Sequence, residues 1–452
     1  MKELGTAPVG KLLKQYALPS IVAMTASSLY NMVDSIFIGH IGGNVGPLAL
    51  GALAVTFPFM NLGAAFGSLV GVGASTMISV KLGQKDYDTA RRVLGNVVML
   101  NLIIGMAFMI LSLIFLDPLL RFFGASDATI GYASDYMKII LYGNVVTHMY
   151  LGLNSASRAA GSPNRAMYAT ILTVCLNACL DPLFIFTFGL GIKGAAIATI
   201  LAQVVSLTWL LAVFSKPEHE VHFVRKSFRL DRHIVRKSLA IGMSPFMMNA
   251  AACIITIFIN RELLTYGGDM DVAAYGIVNR VLFVFAMIVL GLNQGMQPIA
   301  GYNYGARQMD RVFEARNKTI LSAVIVTSLA FVVGEFLPAM VANVFTDDPV
   351  LTEKSVRAMR IASIAWPLVG YSMVISNFFQ SLGLPKQSIF LSLTRQIIYL
   401  LPLLVVLPRF FGTDGVWYAM AVSDVLAFIT SVAVMQYNRK KFVFNDMCNS
   451  AD

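Results

Sequence analysis

The chain has 452 residues, of which 57% are hydrophobic and only 13% charged, with a mean hydropathy of +0.71. Soluble proteins carry about 25% charged residues, so an ordinary soluble protein is excluded, and recurrent apolar runs of about 20 residues point to repeated membrane crossings. A net charge of +10 would suit a nucleic-acid binder, but its distribution along the chain assigns it to membrane topology instead.

Twelve spans are predicted, at 13–38, 47–80, 93–116, 138–158, 165–188, 192–214, 239–265, 272–302, 319–345, 358–382, 387–407 and 414–437. The opening MKELGTAPVGKLLKQYA has no short apolar core with a small-residue cleavage site and reads as uncleaved. If the N-terminus is cytoplasmic, the inner loops and tails hold 24 Lys and Arg against five in the outer loops. Both termini are therefore expected in the cytoplasm. The basic connection 215–238 divides the spans six and six, which predicts an N-terminal six-helix bundle over 1–214, a linker over 215–238, a C-terminal bundle over 239–437 and a tail over 438–452. Landmarks repeat across that division at nearly one spacing: Gly83 with Gly305, Gly161 and Pro163 with Gly383 and Pro385, and Gly191 and Gly194 with Gly412 and Gly415. The fold class expected is an all-α polytopic membrane protein, two pseudo-symmetric six-helix bundles in parallel orientation. Transporters place substrate at such a repeat interface.

In the first span, Tyr16 to Ile38, the only formal charge is Asp34, in the stretch Tyr30-Asn31-Met32-Val33-Asp34. A charge at the bilayer centre costs about 2.5–3.5 kcal/mol on insertion scales, so it marks a functional site by default. The fifth span carries Asn177 and Asp181 one helical turn apart, with Pro182 leaving the carbonyl of Ala178 without its usual donor. Asp181 lies seven residues from the outer end of its span and Thr199 seven residues into the next, so with Asp34 these side chains are expected at one level. Two carboxylates and neutral oxygens make a hard-ligand site, and two carboxylates so placed cannot both ionise cheaply without a cation. Proton and sodium are then rivals for one pocket.

The second half has mostly neutral polar residues instead: Asn260, Gln294, Gln297, Asn377 and Gln380, with Asn260 opposite Asp34 if Pro19 and Pro245 correspond. These, with Tyr30, Asn31, Met32, Met60 and Asn154, are the candidates for a substrate cavity. Gln294 to Pro298 reads as a helix irregularity facing it. Arg261, Glu262, Arg280 and Arg395 read mostly as snorkelling or inter-helix pairs, and Glu335 and Asp424 have no assigned role. Asp269, Asp271, Asp347 and Asp348 read as solvated loop charge. Cys175, Cys179 and Cys253 read as small buried packing residues. Gly189-Leu-Gly191-Ile-Lys-Gly194 joins two spans, so it is a tight turn and not a dinucleotide loop. There is no GxxxxGK[ST] loop to support ATP-driven pumping, and no enzymatic motif.

Four stretches together resemble the multidrug and toxic compound extrusion (MATE) transporters, in particular their DinF/MepA-like bacterial branch: YALPSIVAMTASSLYNMVDSIFIGHIG, GQKDYDTARR, NRAMYATILTVCLNACLDPLFIF and QGMQPIAGYNYGA. The resemblance covers essentially the whole chain. It implies a monomeric multi-pass protein of the bacterial cytoplasmic (inner) membrane that exports amphipathic, often cationic organic compounds in exchange for inward H+ or Na+. No further cofactor and no nucleic-acid partner is expected. In the family an N-lobe cation site uses an Asp on the first helix, an Asn and Asp on the fifth and a Thr on the sixth, which Asp34, Asn177, Asp181 and Thr199 match. Relatives with carboxylates on helices seven and ten are not matched, since Asn260, Asn377 and Gln380 stand there. The principal rival is a lipid-linked oligosaccharide flippase of related fold, which would want a cationic cavity. A major-facilitator carrier usually has a second glycine before the basic pair that GQKDYDTARR lacks. A passive channel would fail to exchange one solute against another.

Overall fold

The computed structural model describes residues 2–41 and 45–449, and all regular structure among them is helical. The first half runs α1 (Lys2–Thr6), α2 (Val9–Gly39), α3 (Val45–Gly83), α4 (Tyr87–Ile114), α5 (Leu116–Phe122), α6 (Ile130–Tyr142), α7 (Asn144–Ala159), α8 (Pro163–Pro182) and α9 (Ile192–Phe214). A π-helical turn, Leu183–Thr187, extends α8. After a connection carrying one 3-10 turn (Arg225–Phe228), the second half runs α10 (Arg232–Gly267), α11 (Asp269–Gly305), α12 (Met309–Phe336), α13 (Pro338–Phe345), α14 (Pro349–Ser363), α15 (Trp366–Ser381), α16 (Pro385–Leu393), a π-helical stretch (Thr394–Leu400), α17 (Leu401–Phe411) and α18 (Thr413–Asn449).

Among the described residues nine helices are long and apolar enough to span a membrane, and α14 with α15, bent by 52°, makes a tenth. The two other expected spans fall on α2, 31 residues long, and on the consecutive α6 and α7, which break at Gly143. Element starts repeat with the spacing of the sequence landmarks. Tyr87 of α4 answers Met309 of α12, Leu116 of α5 answers Pro338 of α13, Asn144 of α7 answers Trp366 of α15, and Pro163 of α8 answers Pro385 of α16. The matching turns carry glycine with positive φ, as at Gly191 (56°) and Gly412 (60°), where an L side chain would be strained. This accounts for the GxGxxG match as turn geometry.

The halves meet near the end that carries α1 and the 215–231 connection, here termed the basic end. A Cβ on Gly83 would lie 1.9 Å from the Tyr302 carbonyl oxygen, and one on Gly305 would lie 2.0 Å from that of Val80. These contacts exchange under the repeat, so α3 and α11 cross on the pseudo-twofold axis. Two further pairs are exchanged in the same way. Gly242 packs on Leu69 and Gly73 on Ser238, while Gly291 packs on Ile21 and Gly295 on Ala17. Gln297 donates to Ser75 Oγ (3.0 Å) and Thr76 Oγ1 (2.8 Å), and positions 75 and 297 are themselves repeat-related. The crossings give α2 and α10 nearly the same register as the other landmarks. The expected pairing of Pro19 with Pro245, and of Asp34 with Asn260, is therefore corrected: Ile21 answers Gly242 and Ala17 answers Ser238, which puts Ile255 opposite Asp34.

The first helix of each half is lodged in the other half over its opening turns. Leu4, Leu12, Tyr16 and Ala17 share a core with Met296, Val312 and Phe378, while Ile234 and Ile241 share one with Val70, Leu94 and Leu153. Backbone carbonyls leading into these helices are held by polar side chains. Asn303 and Arg311 donate to Leu4 O at 3.0 Å, and Asn96 donates to Ser227 O (3.3 Å) and Arg229 O (3.1 Å) while accepting from Asp231 N–H.

Three local expectations are overturned. The α11 helix runs unbroken through Gln294–Pro298, because Gln297 and the close glycines are held against α3 and α2. Cys175 and Cys179 are exposed and Cys253 half-buried, none in a disulfide; the α8 pair lies on the stripe opposite Asn177 and Asp181. Asp271 is buried and paired with Lys354 instead of being solvated, and Asp348 caps α14 by accepting from Val350 and Leu351 N–H.

The crossings leave no room for a side chain. Gly242→Val, whose Cβ would sit 1.7 Å from the Leu69 carbonyl oxygen, should lower stability by about 1–3 kcal/mol through overpacking. Thermal unfolding of the purified protein in detergent measures it, and an unchanged midpoint would show that the halves are not closely apposed there.

Candidate functional site

Four polar side chains meet between α2, α8 and α9 in the half of the bundle away from the basic end. Asp34, Asn177, Asp181 and Thr199 retain 6%, 1%, 0% and 5% of their exposure, so none has bulk water as a partner. The placement follows from local sequence. Asn177 and Asp181 are one turn apart on α8, and Pro182, lacking an N–H, passes the chain into the π-helical turn. Gly194 lets α9 start against the Phe184 backbone, where a Cβ would come within 2.7 Å. That brings Thr199, on the buried face of α9, level with Asn177.

The Asn177 amide bridges the group. Its nitrogen donates to Asp181 Oδ2 at 2.9 Å, and its oxygen lies 3.2 Å from Thr199 Oγ1 and 3.1 Å from the Thr199 main-chain nitrogen, the orientation that satisfies both amide atoms. Thr199 Oγ1 is also 3.0 Å from the Ala195 carbonyl oxygen. The Asp34 and Asp181 carboxyl groups are in mutual contact, and Asp34 Oδ1 has no hydrogen-bond donor. Neither forms an ion pair among the described residues. Two buried carboxyl groups in contact require a proton or a cation between them. The donors are all hard oxygens, and among the described residues no three His, Cys, Asp or Glu cluster as a transition-metal site would need. The orphaned Asp34 oxygen fits a proton or an alkali cation.

The other candidates are scattered. Tyr30, Asn31 and Met32 lie on α2 with side chains outside the described residues. Met60 is half-buried on α3 and Asn260 half-buried on α10. Asn154 is engaged as a strut: its nitrogen donates to Ala166 O at 2.9 Å, and its oxygen accepts from Arg158. Gln297 is engaged at the α3–α11 crossing, Gln294 donates to Met24 Sδ at 3.4 Å, and Asn377 donates to Met373 O within its own helix. Gln380 is buried on α15 and Glu335 half-buried on α12. Asp424 has a partner that sequence reasoning did not assign, Arg395, whose Nε donates to Asp424 Oδ1 at 2.5 Å. The available signal was position: both residues fall near the middle of consecutive spans.

The MatE family model matches residues 19–183 and 240–406. Multidrug export protein MepA of Staphylococcus haemolyticus is 25% identical over 425 residues, 94% of this chain and 93% of the relative. Its counterpart in Staphylococcus aureus (strain NCTC 8325 / PS 47) is 24% identical over 444 residues, covering 96% and 95%. Among solved structures, a MATE protein in the bent conformation superposes with a TM-score of 0.91 at 26% identity, covering 99% and 98% of the two chains. The MATE multidrug transporter DinF-BH superposes at 0.89 with 34% identity, covering 97% and 98%.

If the Asn177 amide supports Asp181, Asn177→Leu should cost about 1–3 kcal/mol by stranding a buried carboxyl, whereas Asn177→Leu combined with Asp181→Leu should recover much of it. Unfolding midpoints of the two variants test this, and a double variant no more stable than the single one would contradict it.

Proposed function

Because this chain belongs to the MatE family of membrane transporters, we propose that it is a secondary antiporter exporting amphipathic, often cationic organic compounds across a bacterial cytoplasmic membrane, driven by inward H+ or Na+. The observation that carries this reading is the contact between Asp34 and Asp181, two buried carboxyl groups without a basic partner among the described residues. Such a pair is stable when a cation or proton lies between its members and strongly attractive to one when none does. Asn177 and Thr199 supply the neutral oxygens that would complete a sodium shell or orient a shared proton. The names of the relatives, as multidrug export proteins, support the same substrate class.

The helix α2 links the site to the bundle interface. Near its start Ala17 and Ile21 pack on Gly295 and Gly291 of the second half, and near its end Asp34 meets Asp181 of the first. Pro19 lies inside the first of these sections and removes one helical hydrogen bond there. Loading the carboxyl pair would change how the outer part of α2 seats on α8, and so the wall that a bound compound sees. With the basic end taken as cytoplasmic, the crossings described above close the inner side, and the halves 1–214 and 239–437 would rock about them, joined by the 215–238 linker. The protein acts as a monomer in this scheme, and its organic substrates and coupling ion are its only ligands.

Efflux into everted membrane vesicles under a pH gradient or a sodium gradient, imposed separately, tests coupling. One of the two gradients should drive dye accumulation, and Asp34→Asn should reduce the rate about tenfold or more. Concentrative dye export by Asp34→Asn at the wild-type rate would refute the assignment, and absence of counterflow in sealed proteoliposomes would indicate a channel.

A further inference from the structure

The second half has no counterpart of the carboxyl pair, but it places a different charged pair, Arg395 and Asp424, in the same seam. Arg395 is the repeat counterpart of Thr173 and lies in the π-helical stretch following α16. In the first half Thr173 faces α9, donating to Ser206 Oγ at 2.7 Å. In the second half Arg395 faces α18, the helix that corresponds to α9, and donates from Nε to Asp424 Oδ1 at 2.5 Å. Both residues lie near the middle of their spans, Pro385–Phe411 and Thr413–Asn438.

The pair is lopsided. The Asp424 side chain retains 4% of its exposure, whereas that of Arg395 retains 34%. Only Nε is committed; the two terminal amino groups have no hydrogen-bond partner among the described residues and are not enclosed by protein. Arg395 takes the repeat position of Thr173, one helical turn from Asn177 on the stripe that also carries Asp181, and charges within spans are placed toward the bundle interior and away from hydrocarbon. Asp424 holds the guanidinium through Nε and offsets its charge. What remains is a forked donor directed at open space, the geometry that receives a carboxylate, sulfonate or phosphate group through two parallel hydrogen bonds.

We infer that Arg395, held by Asp424, is a specificity-determining residue that receives an anionic group on the transported compound. The inference rests on the transport reading above and deepens it. Cationic parts of a substrate would be attracted by the carboxyl pair of the first half and anionic parts by Arg395 of the second, so amphiphiles carrying both charges fit better than simple cations.

Rhodamine 110 and its methyl ester, rhodamine 123, form a matched probe pair, since they share a cationic ring system and differ only in whether the benzoate is free. Fluorescence anisotropy with the full-length protein in detergent gives Kd for each. The wild type should bind the free acid more tightly than the ester. Arg395→Gln should raise the acid-to-ester Kd ratio about tenfold or more, as expected for loss of charge-assisted hydrogen bonds, and Arg395→Lys, a point charge without the fork, should fall between. A wild type that does not favour the acid, an unchanged ratio in Arg395→Gln, or equal weakening of both probes would each overturn the inference, the last indicating a purely structural ion pair. Failure of the wild type to export rhodamine 123 from cells would count against the transport reading instead, so the two failures are distinguishable.

Discussion

Main-chain contact across the pseudo-twofold axis is the constraint on which the rest of this structure depends. Gly83 and Gly305 let α3 and α11 touch backbone to backbone, and Gly73, Gly242, Gly291 and Gly295 do the same for the first helix of each half against the other. In a bilayer, helices gain little by hiding apolar surface from one another, and close approach through small residues replaces that driving force. The contacts lie toward one end, so the remaining lengths of the helices are free to define an interior. The docking of α1 by Asn303 and Arg311, and of the connection by Asn96, keeps the swapped first helices in place.

Symmetry of scaffold is combined with asymmetry of charge. At the junction of its first, fifth and sixth spans the first half buries two carboxyl groups, an amide and a hydroxyl, with no basic residue paired to them among the described residues. At the matching junction of the second half the structure buries one carboxylate and pairs it with a partly exposed guanidinium. The first arrangement needs a mobile cation to be at rest, and the second does not. The physical difference is large because desolvation makes an unpaired buried charge costly, while a hydrogen-bonded pair offsets much of that cost. On the antiport reading, this is why a coupling ion belongs in one half only.

Parts of this were legible in the chain because they depend on local chemistry. Asp34 stands out as the one charge in an apolar run, and helical rise places Asp181 and Thr199 at similar depth. Other parts were not. Pairing Pro19 with Pro245 implies a register about one helical turn away from the true one, but a proline can sit a turn away without altering the packing, and the glycine crossings decide the register. Cys175 and Cys179 are as apolar as core residues, and nothing in their type distinguishes an exposed stripe from a packed one. Asn154 and Gln297 resembled cavity-lining groups, yet their polar atoms are engaged by Ala166 and Arg158, and by Ser75 and Thr76.

The sequence by itself determined the membrane class, the twofold repeat and the identity of the four groups that meet in the first half. Each follows from residue type and spacing along a helix, which the backbone geometry conveys without tertiary information. Only the tertiary structure decided which helices exchange between halves, that Asp34 and Asp181 touch while Asp34 Oδ1 is left without a donor, and that Arg395 answers Asp424. These depend on the rotation of each helix about its own axis. That rotation is set by close packing at a handful of glycines distant in sequence from the groups they bring together.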